Sequence, residues 1–216
     1  MANLATRRTA RREDLGLGAR DYARLRALTT PLRIQAFVNA IPINREPDGE
    51  TVHSVRAVLQ HRCAHCIEGA LVAACALWIH GDAPLLMHLD CAASDSPHVV
   101  ALFRRARHWG AISKSNHAVL RFRDPVYRNL RELAMSYLHE YCDHGGKKTM
   151  RSYSRPFDLR RVDPRQWVSN HGACWQTHDR LADSRHHALL SPRQARELRP
   201  RDPFERLAAQ IEEFPR

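Results

Sequence analysis

The segment HRCAHCIEGALVAACALWIHG (61–81) decides how the chain is read. Ile67, Ala70, Leu71, Ala74, Cys75 and Trp78 fall on one face of a 3.6-residue period. Gly81 supplies the stop, because the position after a helix often takes a left-handed backbone that suits glycine. The pattern predicts an amphipathic helix beginning at Cys66. At its head stand His61, Cys63, His65 and Cys66, and those residue types allow three chemistries.

The first is metal binding. Cys63 and Cys66, two residues apart, together with His88 and Cys91 make a candidate Cys₃His zinc set, since paired ligands at this spacing suit tetrahedral coordination. The second is plain burial: a free cysteine behaves in a core as a small hydrophobe, and Cys75 on the helical stripe is read that way. The third is nucleophilic catalysis. Unpaired N–H groups and the helix dipole favour a thiolate at a helix start, and a histidine held by a third polar group completes such a device. His98 heads the apolar run HVVALF (98–103), with Asn116 and Asp124 flanking the later run HAVLRFR (117–123). Gly69, one turn beyond Cys66, allows another backbone or a substrate to approach closely. Glu68 is read as favouring the helix N-terminus electrostatically.

Outward from this segment, Thr30-Pro31 and Ser54 read as starts of two short helices. PLLMHLD (84–90), HVVALF, WGAIS (109–113) and HAVLRFR read as clustered strands. Asp124-Pro125 reads as a cap followed by proline at the first helical position, opening a helix with an apolar stripe through Leu130, Leu133, Tyr137 and Tyr141. Helices, clustered strands and a further helix make an α+β pattern. Beyond residue 155 the chain is rich in arginine and proline, with a last short helix expected near 204–214.

This order resembles the transglutaminase-like superfamily, whose fold is related to papain-type cysteine enzymes. The resemblance covers residues 50–126 and rests on Cys66 opening the central helix, His98 starting a following strand, and Asp124-Pro125, with HGDAPLL (80–86) similar to the family's helix-to-strand turn. It implies a central helix packed on a small antiparallel sheet, and a Cys–His–Asp/Asn triad acting on an amide or acyl group of a protein or peptide without a cofactor. The third member departs from the pattern. Asp124 comes later than the family's short hairpin would place it, and the hairpin position offers Ser113 or Asn116 instead. Asp124 and Asn116 share the expectation. The same fold kept as an inactive binding module is the alternative, as is the zinc module.

The implied organisation is a basic arm at 1–27, a core at 28–155 and an extension at 156–216 packed on it. The net charge of +11 over 216 residues invites nucleic acid, but only three of the 34 basic residues are lysine and no recognisable nucleic-acid module accompanies them. With no apolar run long enough to span a bilayer, and no apolar stretch behind the first arginines, a cytoplasmic chain with free thiols is expected.

Overall fold

The computed structural model describes residues 9–215, so the first eight residues of the expected basic arm lie outside the described residues. Five helices come first: α1 (Arg12–Leu15), α2 (Ala19–Arg26), α3 (Pro31–Asn39), α4 (Val55–His61) and the central α5 (Cys66–Ile79). Four strands follow: β1 (Leu85–Cys91), β2 (His98–Arg105), β3 (His108–Ser113) and β4 (Arg123–Tyr127). Then come α6 (Leu130–Met135), β5 (Met150–Ser154), β6 (Phe157–Asp158), α7 (Pro164–Trp167), α8 (Trp175–Ala182), β7 (His186–Ala188), α9 (Pro192–Glu197) and α10 (Pro203–Ala209).

The strands form one open antiparallel sheet in the order β4-β3-β2-β1-β5-β7, with β6 also paired to β1. The fold is α+β, as expected. Alternation along β2 divides the core in two. Val99, Ala101 and Phe103 join the cluster around α5, whereas Val100 and Leu102 join Leu133, Ala134 and Tyr137 on the other face.

Local chemistry explains the helix starts. The Thr30 hydroxyl accepts from the Arg33 N–H, and the Ser54 hydroxyl from the Ala57 N–H, satisfying donors that have no intrahelical partner. Gly81 takes φ +84° just beyond α5, as a left-handed stop requires. The expected amphipathicity of α5 does not hold, because nearly every residue from Ile67 to Ile79 is buried. The sheet covers one side of this helix, and α2, α3 and α4 pack on others.

Two expectations after β3 are corrected. HAVLRFR is not a strand: residues 114–122 form an irregular loop, and the strand begins at Arg123. Asp124-Pro125 does not open a helix. It lies within β4, an edge strand where proline's missing N–H leaves no gap in the ladder. The helix starts later, capped by the Asn129 side chain, which accepts from the Glu132 N–H. Strands β5, β6 and β7 were not signalled, and the last two lie beyond residue 155 yet join the sheet. Among the described residues no helix is long and apolar enough to cross a membrane.

Candidate active site

Cys66 is the first residue of α5 and stands half-buried at a cleft of about 540 Å³. Its Sγ lies 4.0 Å from the carbonyl oxygen of Pro97, the residue before His98. The start of the helix and the start of β2 therefore meet. His98 is buried, and its Nε2 is 2.7 Å from Ser113 Oγ. The Ser113 hydroxyl has one hydrogen, which it donates to the Leu120 carbonyl at 2.5 Å. The contact from His98 is thus assigned as an Nε2–H donor, leaving Nδ1 as the nitrogen for the sulfur.

Ser113, not Asp124 or Asn116, orients the imidazole. Asp124 is exposed on the edge strand. Asn116 lines the cleft, but its side chain donates to the Phe214 carbonyl and accepts from the Phe214 N–H. Register explains the choice: Ser113 pairs across the strands with Val100, two residues from His98, and diagonal neighbours on one sheet are within reach.

A second histidine, noted in the sequence only as standing at the helix head, also flanks the thiol. His65 donates from Nε2 to the Thr51 carbonyl at 2.9 Å, which turns its other nitrogen to Cys66. Beneath it Glu68 is fully buried. Its carboxylate accepts from the N–H groups of His53 and His65 at 2.8 and 2.9 Å, from Asn44 Nδ2 at 3.1 Å, and from the Thr51 hydroxyl at 3.0 Å. Glu68 is the third helical residue reaching back to the cap, the acidic half of a capping box. That spacing, visible as H-C-x-E, was the available signal for His65.

Electrostatics single out this thiol among six. Burial pushes up Cys63, Cys75, Cys91, Cys142 and Cys174, Cys91 and Cys174 to about 11. Burial pushes the Cys66 thiol up as well, but hydrogen bonding and charge from His65 and His98 outweigh it and hold the thiol well below its ordinary value. His65 behaves reciprocally. Burial lowers it, yet the sulfur and the Glu68 carboxylate raise it to about 9. Between the depressed Cys66 value and about 9 the arrangement is an imidazolium beside a thiolate.

The alternative zinc set is not brought together. His88 Nδ1 is 2.9 Å from His186 Nε2, and Cys91 lies about 10 Å further along an extended strand from His88. No group of three or more histidine, cysteine or acidic side chains is placed to hold a metal ion among the described residues. Lys114, in the loop after β3, is also enclosed. It is buried, donates to the Ile41 carbonyl, and is lowered to about 8 by burial. Gly69 admits this lysine rather than a backbone or a substrate, since a Cβ there would stand 2.5 Å from Lys114 Cβ. No protein-family model and no curated protein matches the chain.

Proposed function

We propose that the protein is a transglutaminase-like cysteine enzyme that cleaves or transfers an acyl group from an amide. The observation that carries this reading is the lowered Cys66 thiol at a helix start, between His65 and a His98 whose outer nitrogen is fixed by Ser113. Cys66, having given its thiol proton to His98 Nδ1, attacks the amide carbon, forming the C–S bond. The oxygen's charge falls beside the Cys66 N–H, a first-turn donor without an intrahelical acceptor. As the C–N bond breaks, His98 Nδ1–H protonates the leaving amine. Water or a second amine then gives a proton to Nδ1 and attacks the thioester, restoring the thiolate. His65, positioned by Glu68, stabilises the thiolate before attack and again as it leaves the thioester.

The test is iodoacetamide alkylation of each cysteine against pH, read by peptide mass spectrometry, followed by a screen for ammonia or amine release from peptide amides. Cys66 should react selectively near pH 6. Ser113→Ala should slow it roughly tenfold, the worth of one buried hydrogen bond of about 1.4 kcal/mol. A Cys66 no faster than free cysteine at pH 6, or a turnover unchanged by Cys66→Ala, overturns the reading.

A further inference from the structure

Arg206, Ala209, Gln210 and Glu212 line the Cys66 cleft together with His98. The stretch that follows bonds to the loop after β3 through its main chain. The Ala118 N–H donates to the Ile211 carbonyl at 3.2 Å, His117 forms an antiparallel bridge with Glu212, and the Glu213 N–H donates to the Asn116 carbonyl at 2.7 Å. These are main-chain contacts, which any extended polypeptide can make.

The side chains add selectivity. Glu213 pairs with Arg121 at 2.8 Å, and Arg121 also donates to the His117 carbonyl at 3.1 Å, so the same guanidinium holds the loop and the acidic residue. Glu212 approaches Arg45 at 3.6 Å, and Arg45 donates to the Phe214 carbonyl at 2.5 Å. The Phe214 ring sits 4.8 Å from Lys114 Nζ, a cation–π contact to the buried lysine that packs on Gly69 one turn from Cys66. Asn116 binds the Phe214 backbone through both ends of its amide.

We propose that this rim is the docking site for an extended acidic–aromatic polypeptide segment, and that residues 211–214 occupy it in cis. The partner is a chain offering two acidic residues followed by an aromatic one, laid antiparallel to residues 116–118. Deepening the enzyme reading, this makes such a chain the substrate or its competitor; only that extension rests on Cys66 chemistry.

The probe is a fluorescent peptide QIEEFPR, titrated into the intact chain and into the double variant E213K/F214A. A tethered segment competes at an effective concentration on the order of millimolar, so the intact chain should bind micromolar peptide at least about tenfold more weakly than the variant. Both altered side chains are at the surface or half-buried, and circular dichroism verifies the fold. An independent variant, Arg121→Glu, should prefer the peptide QIEKFPR over QIEEFPR. Equal binding by the intact chain and the double variant, or binding by neither, overturns the proposal, as does an Arg121→Glu variant indifferent to the swapped charge. Alkylation separates the two readings. Peptide binding beside an unreactive Cys66 keeps the docking site and ends the enzyme reading, while a reactive Cys66 with no peptide binding does the reverse.

Discussion

At a pH above both 6.5 and the depressed Cys66 value and below about 9, the pair at the head of α5 holds the same number of protons folded as unfolded. Folded, His65 carries the proton and Cys66 does not; unfolded, each returns to its ordinary state. Taken alone, His65 is raised, so its contribution is complete below 6.5 and is lost as pH rises through about 9. Cys66 is lowered, so its contribution is complete above its ordinary 9.0 and is lost as pH falls through the depressed value. The two slopes cancel in the window between. The expected result is a melting-temperature difference between wild type and Cys66→Ala that is level across that window and above pH 9, and that falls as pH drops below the window toward the depressed Cys66 value. A difference that changes steadily across that window would mean the proton stays on the sulfur.

The central helix shows how an element can be set by one missing side chain. Alanine is the better helix former by about 0.8–1 kcal/mol. At Gly69, however, a Cβ would stand 2.5 Å from Lys114 Cβ, 3.0 Å from its Cγ and 3.3 Å from Val38 Cγ1. The clash involves the root of the lysine rather than its flexible end, so the strand end has to move, at about 1–3 kcal/mol. Gly69→Ala is therefore expected to lower the urea midpoint, and an unchanged or raised midpoint would show that the contact yields freely. Much at this scale was legible in the sequence: the start and stop of α5, the caps at Thr30 and Ser54, and the strands carrying Leu86, Val100 and Ile112. HAVLRFR misled because its alternation is that of a strand, yet the main chain at Asn116 and Ala118 bonds to Glu213 and Ile211, far along the sequence, rather than to a neighbouring strand. Asp124-Pro125 misled because a proline without a needed N–H suits an edge strand as well as a first helical turn. Cys66 and His98 were legible by type and order. Ser113 was not chosen because its role depends on register, which brings it diagonal to His98.

At the scale of the molecule, the residues beyond 155 are part of what holds α5 in place. Leu159, Val162, Trp167, Val168, Cys174 and Leu181 join the same buried cluster as the central helix. Trp167 is fully buried and stacks on Trp78 of α5, ring centroids 6.1 Å apart at 17°. Arg56 donates its N–H to the Val168 carbonyl and the Cys174 N–H bonds to the Val52 carbonyl, tying the same stretch to α4 and to the strand of chain before it. Thr51 and His53, neighbours of that contact, are among the groups that bind Glu68 under His65. Packing around Trp167 thus lies within one connected set of contacts with the base of the thiolate site. Trp167→Ala is expected to cost about 3–5 kcal/mol, as large core truncations do. Because the lost ring supports α5 directly, Cys66 alkylation and backbone unfolding should share one urea transition at the lower midpoint. If the variant lost less than about 1 kcal/mol, or if backbone signal from residues 156–189 melted well before Cys66 became uniformly reactive, the later third would be an appendage and the sheet strands it supplies would be dispensable to the site.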